Sequence, residues 1–120
     1  MTRKHFLVVC RRPPYGESFA REAIDVAMAA AAFDQQVALL FLGDGVLQLI
    51  NRQDGAAISQ KSFEKQLSAL PLYDVNTIYI DSDALDKRKL SASDLSLPVT
   101  LLNRDEITAL LSRSDFALNF

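Results

Sequence analysis

The chain has 120 residues, of which 49% are hydrophobic and 23% are charged, and its formal net charge is −2. This length and composition predict one globular domain over residues 1–120, which buries about two-thirds of the surface that its unfolded chain exposes. The small negative charge argues against direct contact with nucleic acid or an anionic membrane surface. No apolar stretch approaches the roughly 20 residues of a membrane span, so we expect a soluble protein.

Cys10 is the single cysteine of the chain, which excludes an internal disulfide and fits a reducing cytoplasm. The N-terminus does not have the pattern of a signal peptide, because the apolar run Phe6–Cys10 is short and is followed by Arg11 and Arg12. We therefore expect a cytoplasmic location.

The first half of the chain alternates between strand and helix patterns. Phe6–Cys10 is continuously apolar, as strands are when both faces of a parallel sheet are covered. From Glu17 onward, apolar residues recur at steps of three and four, which predicts an amphipathic helix. The apolar run Val37–Leu42 predicts a second strand, and the turn Gly43–Gly45 then leads into a short, largely apolar helix.

The second half continues the alternation and completes the fold prediction. Such alternation calls for a parallel sheet covered by helices on both faces, so we predict a single three-layer (α/β/α) domain with a mostly parallel five-stranded sheet. The remaining predicted elements are a helix over Ser59–Leu70, a strand over Thr77–Ile80, helical turns within Asp81–Arg88 capped by Ser82 or Asp81, a strand over Val99–Leu102, a helix with a capping-box start at Asn103 and Glu106, and a strand over Asp115–Phe120.

Ligand sites of open α/β sheets lie at the carboxyl ends of the strands. Those ends predict four places to search: Cys10 and the loop after it, Gly43–Gly45, Asp81–Asp83, and Asn103. Cys10 is expected to be an inert core thiol, because the one histidine, His5, would lie on the opposite face of the strand. The sequence has no metal-ligand spacing, and no histidine that could activate a serine nucleophile.

The segment Gly43-Asp44-Gly45 is expected to structure its loop. It lacks the spacing of a phosphate-binding loop, and an aspartate at a helix N-terminus would repel a phosphate. We therefore interpret Asp44 as a helix cap, with Gly43 and Gly45 letting the backbone take a positive φ or pass close to a neighbour.

The short helix after this loop carries Val46, Leu47, Leu49 and Ile50, with Gln48 between them. These apolar positions cover more than one helix face, and a sheet can cover only one side of a helix. The four residues are therefore candidate contacts in a subunit interface.

Several motifs together resemble one family. The helix start Arg21–Asp25, the block Asp44–Leu49, the turn Leu70–Asp74 and the aromatic-ended last strand resemble the TusC/DsrF-like subunits of the DsrE/DsrF/DsrH sulfur-relay family. The resemblance covers essentially the whole chain, and its most specific parts are Asp44-Gly45-Val46-x-Gln48-Leu49 and Leu72-Tyr73-Asp74.

The resemblance implies a DsrE-like fold and a cytoplasmic relay that passes persulfide sulfur toward 2-thiolation of the wobble uridine of certain tRNAs. It implies a heterohexamer with TusB-like and TusD-like sister subunits and an indirect link to persulfide carrier proteins. The TusD-like sister carries sulfur on a cysteine after its third strand, where this chain has Asp81-Ser82-Asp83. No catalytic residue, cofactor or metal is therefore expected here, and the chain is interpreted as a structural, non-enzymatic subunit.

Two other functions stay open. One is a stand-alone, homo-oligomeric α/β domain that binds a small ligand. The other is a sulfurtransferase that uses Cys10. The first would purify without sister chains, and the second would form a persulfide on Cys10.

Overall fold

The sheet is built from five short strands. In a computed structural model that describes residues 4–11, 19–49, 67–95 and 98–120, these strands are β1 (His5–Cys10), β2 (Gln36–Phe41), β3 (Thr77–Asp81), β4 (Thr100–Leu102) and β5 (Phe116–Asn119). All are parallel, in the order β4-β3-β2-β1-β5. The predicted α/β class and five-stranded sheet are confirmed, whereas the sequence does not predict the order of the strands.

Helical elements connect and cover the strands. The helices are α1 (Phe19–Ala32), α2 (Ser82–Lys87) and α3 (Arg104–Arg113), and 3-10 turns span Gly43–Leu49, Leu70–Tyr73 and Ala92–Asp94. None of the helices in the described part of the chain is long and apolar enough to cross a membrane. The predicted segment Ser59–Leu70 is described only from Leu67, where a helical turn precedes the 3-10 turn.

Strand alternation divides the apolar residues between two cores. On the side of α1, Val8, Leu39 and Ile80 are fully buried. Two alanines of α1, Ala23 and Ala27, are also fully buried, and their small side chains let the helix approach the sheet closely. This larger core lies beneath α1 and the two longer 3-10 turns.

The core on the other side of the sheet is smaller. Leu7, Val9, Leu40 and Leu102 pack there against Leu110 of α3. In the described part of the chain, α3 is the one helix on this face. This asymmetry leaves a groove beside α3.

The helix caps read from the sequence are present. The Asp81 side chain accepts a hydrogen bond from the Asp83 backbone N–H at 3.0 Å and caps α2. The Asn103 side chain accepts from the Glu106 backbone N–H at 2.9 Å, and the Glu106 side chain accepts from the Asn103 N–H at 3.0 Å. These two starts fix the direction in which the chain leaves β3 and β4.

Candidate functional site

The carboxyl edge of the sheet brings together most of the residues singled out above. Parallel pairing places Cys10 beside Phe41, Phe41 beside Ile80, and Asp81 beside Leu102. The loop after β2, the start of α2 and the start of α3 therefore share one edge. Of the predicted loop after Cys10, Arg11 is described, and residues 12–16 lie outside the described residues.

Cys10 is inaccessible at this edge. Its side chain is fully buried in the α1-side core, and burial raises the pKa of its thiol from 9.0 to about 12. A buried neutral thiol is a poor nucleophile, because the thiolate is the reactive form. The raised pKa also means that the thiol favours the folded state fully below pH 9 and loses that contribution as the pH rises toward 12.

The glycines of the loop after β2 have separate physical roles. Gly43 has a φ of 52°, a left-handed conformation that favours glycine. Gly45 packs against the backbone of Cys10, and a Cβ at this position would overlap the Cys10 carbonyl oxygen. The backbone also closes the loop, because Gly45 N–H donates to Leu42 O at 2.8 Å and Leu42 N–H donates to Cys10 O at 3.0 Å.

Asp44 makes a different contact from the helix cap expected from the sequence. Its carboxylate accepts a hydrogen bond from Arg88 Nη2 at 2.6 Å, and among the described residues no backbone N–H donates to it. The nearby N–H of Gly45 is instead taken by the Leu42 carbonyl. Arg88 also donates to Ala84 O at 3.0 Å, so the ion pair ties the loop after β2 to the end of α2.

We expect Asp44→Ala to lower the free energy of unfolding by about 1 kcal/mol or less, because the Asp44 side chain is 58% exposed and exposed ion pairs contribute little. Urea denaturation should show that this loss shrinks at high salt, where exposed charges are screened. In an Arg88→Gln background, Asp44→Ala should cost almost nothing further. An undiminished loss in that background would mean that Asp44 acts as a cap after all.

Asp81, Ser82 and Asp83 lie at the carboxyl edge, where β3 ends and α2 begins. Here the three residues begin α2, and the Ser82 hydroxyl donates to the Leu102 carbonyl at 3.1 Å. The hydroxyl is thus used to tie α2 to β4. Neither a carboxylate nor this hydroxyl can carry persulfide sulfur.

A cavity of about 220 Å³ adjoins these residues. It brings Lys87 and Arg104 beside Asp81 and Asp83, and the two basic residues were missed in the sequence because they come from different helices. Its volume lies below the roughly 300–1,000 Å³ that is common for small-ligand pockets. No cluster of three or more metal-ligating side chains occurs within the described ranges. The arrangement resembles a polar helix junction more than a binding pocket.

The candidate interface residues separate into two groups. Val46 and Leu49 are fully buried in the chain's own core, whereas Leu47 is half-buried. Ile50 lies outside the described residues. The prediction of an interface therefore concerns Leu47 and Ile50, and it stays a prediction.

Comparison with known proteins gives consistent matches. The model of the DsrE/DsrF-like family matches residues 4–120. A Protein TusC homolog of Pseudomonas aeruginosa is 38% identical over 109 residues, which cover 91% of this chain and 92% of the relative. The intracellular sulfur oxidation protein DsrF of Allochromatium vinosum is 45% identical over 92 residues, which cover 77% of this chain and 68% of the relative.

A solved structure has the same fold. The ychN protein from E. coli superposes with a TM-score of 0.80 over 99% of this chain and 100% of that chain, at 19% identity. At this identity the likeness concerns the fold alone. The TusC and DsrF names support a sulfur-relay role at the level of the family, and the match along nearly the whole chain identifies this protein as a member of the DsrE/DsrF-like family.

Proposed function

We propose that this chain is a non-catalytic subunit of a cytoplasmic sulfur-relay complex that passes persulfide sulfur toward 2-thiolation of tRNA wobble uridine. Its partners in this proposal are TusB-like and TusD-like sister chains in a heterohexamer. Persulfide carrier proteins act on the complex through the sister chains. The chain itself makes no direct contact with nucleic acid.

The observation that carries the proposal is that the chain has no accessible thiol that could carry sulfur at the carboxyl edge of the sheet. The segment that follows β3 is Asp81-Ser82-Asp83, which contains no cysteine. Cys10, the single cysteine of the chain, is buried, and burial raises the pKa of its thiol. Sulfur transfer through a persulfide needs an accessible thiolate on the carrier. A chain of this family that lacks an accessible thiolate is suited to support a sister chain that has one.

The experiment is to express the chain together with TusB-like and TusD-like chains and to purify through a tag on this chain alone. The proposal predicts that TusB-like and TusD-like chains co-elute with it in one complex by size exclusion. Recovery of this chain alone, as a homo-oligomer, would favour the stand-alone ligand-binding domain instead. The small, mixed-charge cavity beside Asp81 gives that alternative little support.

A further inference from the structure

The strand β5 leaves one edge of the sheet open to solvent. It lies at the end of the strand order and pairs with β1 on its inner side, and all four of its residues are exposed. Phe116 is 48% exposed and Leu118 is 38% exposed. Neither proline nor a charged residue occurs in Phe116–Asn119, although natural proteins commonly use both to keep an open edge from pairing. The outer edge of β5 is therefore able to pair with another strand.

The opposite edge of the sheet is better protected. There, β4 has only three residues, Thr100–Leu102, and Pro98, which has no N–H to donate, lies just before it. A short strand next to a proline offers few backbone groups for pairing. The contrast singles out β5 as the edge at which the sheet can be extended.

The hydrogen bonds to β1 determine which backbone groups of β5 face outward. The Phe120 N–H donates to Val9 O at 2.8 Å, and the Arg11 N–H donates to Phe120 O at 2.9 Å, so both backbone groups of Phe120 point toward β1. Successive residues of a strand direct these groups to opposite sides. The N–H and C=O of Ala117 and Asn119 therefore point away from β1, toward the outer edge.

These outward groups are self-complementary in an antiparallel pair. If Leu118 faces Leu118 of a second copy across a two-fold axis, Ala117 faces Asn119 of that copy, and Asn119 faces its Ala117. Two residues that form a hydrogen-bonded pair exchange both N–H···O bonds, so the two pairs make about four hydrogen bonds. Among two-fold registers, this one alone pairs both outward residues within the strand.

The apolar side chains match in the same register. Phe116, Leu118 and Phe120 share one face of β5, because side chains alternate along a strand. This is the face of α1, since Phe116 stacks on Phe6 with 4.8 Å between the ring centroids, and Phe6 packs against the α1-side core. Pairing about Leu118 places Phe116 of each copy opposite Phe120 of the other and the two Leu118 side chains opposite each other. Cross-strand apolar pairs of this kind stabilise sheets.

Opposite charges lie at the two ends of β5. Asp115 precedes the amino end, where its Oδ2 accepts a hydrogen bond from the His5 N–H at 2.7 Å. Arg11 lies beside the carboxyl end, where its Nε donates to Asn119 Oδ1 at 3.2 Å. Antiparallel pairing brings the amino end of one copy to the carboxyl end of the other, so each Asp115 approaches Arg11 of the other copy. This arrangement favours the association of two identical chains in this direction.

We propose that β5 pairs antiparallel with β5 of a second copy of this chain, about a two-fold axis at Leu118, and joins the two sheets into one continuous sheet. The partner is a second copy because the backbone groups, the apolar side chains and the charges of β5 each match their own symmetry mates. This inference goes beyond the proposed function and does not depend on it. If β5 does not pair, the sulfur-relay proposal is unaffected.

Cysteine cross-linking of the 120-residue chain tests the register. Facing residues of a non-hydrogen-bonded antiparallel pair have Cα atoms about 4.5 Å apart, which a disulfide can span. In oxidised glutathione, Leu118→Cys should therefore form disulfide-linked dimers at least about 10-fold faster than Ala117→Cys and Leu101→Cys. The two Ala117 residues would lie farther apart than the roughly 7 Å that a disulfide can span, and Leu101 is exposed on the opposite edge strand. The native Cys10 is buried and is common to all three variants.

Ala117→Pro tests the hydrogen bonds. The Ala117 N–H points outward, so proline removes no bond to β1, and edge strands tolerate proline at such positions. Combined with Leu118→Cys, the proline should leave the chain folded by circular dichroism but slow cross-linking roughly 10-fold or more, because two hydrogen bonds between the copies are lost. Ala117→Ser in the same background keeps the N–H and should cross-link as fast as Leu118→Cys alone.

Three results would overturn the proposal. Equal cross-linking of Leu118→Cys and Leu101→Cys would show that β5 does not pair. Faster cross-linking of Ala117→Cys than of Leu118→Cys would show that the axis is not at Leu118. Undiminished cross-linking in the presence of Ala117→Pro would mean that the copies meet without the hydrogen bonds of β5. If Ala117→Pro does not fold, the comparison of the three cysteine variants decides by itself.

Discussion

Replacing Gly45 by alanine should unfold the domain or cost more than about 4 kcal/mol of stability, a loss far above that of most substitutions. The added Cβ would overlap the Cys10 carbonyl oxygen, and it would also crowd the carbonyl carbon of Cys10. That oxygen already accepts the Leu42 N–H at 3.0 Å, so it cannot move away without breaking the loop. Urea denaturation, or the yield of folded protein where the variant does not fold, measures the effect.

Gly43→Ala is the matched control in the same loop. A Cβ at Gly43 meets no atom within 4 Å, and the cost is limited to the φ of 52°, about 1–2 kcal/mol for a non-glycine residue. If Gly45→Ala were no more destabilising than Gly43→Ala, the close packing of the loop on β1 would be wrong.

The second large effect is expected at Leu49, in the turn after this loop. Leu49 is fully buried in the α1-side core, so Leu49→Asp would place a carboxylate in an apolar environment and should unfold the isolated chain, at a cost of several kcal/mol. Leu47→Asp should leave the chain folded, because Leu47 is half-buried. Circular dichroism of the two isolated variants distinguishes these results.

Co-purification of the Leu47→Asp variant then tests the interface prediction for this turn. A folded variant that no longer binds sister chains would support it. Full binding would restrict the prediction to Ile50. A folded Leu49→Asp variant would contradict the burial of Leu49 in the α1-side core.

The architecture could be predicted because its signals are local. The apolar run of β1 and the capping box at Asn103 each identify an element within a few residues, and both are present. The order of the strands could not be predicted, because it depends on the edge of the growing sheet at which each crossover connection places the next strand. That placement is determined by packing between distant parts of the chain.

The contacts at the candidate site were harder to predict, because several of them also join distant parts of the chain. The burial of Cys10 follows from its place in an apolar strand and was expected. The pairing of Asp44 with Arg88 spans 44 residues and has no local signal. The exposure of Phe33 and Leu72 was not predicted, because both resemble core residues in the sequence and only the packed structure leaves them exposed.

The proposed function requires that sulfur passes through a sister chain and not through this one. The direct measurement is to load the assembled complex with a persulfide donor and to record the intact mass of each subunit, in parallel with a sulfur-transfer assay of the Cys10→Ser complex. We predict no added sulfur on this chain and transfer within a few-fold of the wild type, with a stability loss of about 1–3 kcal/mol from the buried hydroxyl. Persulfide on Cys10, together with loss of transfer in an intact Cys10→Ser complex, would contradict the claim.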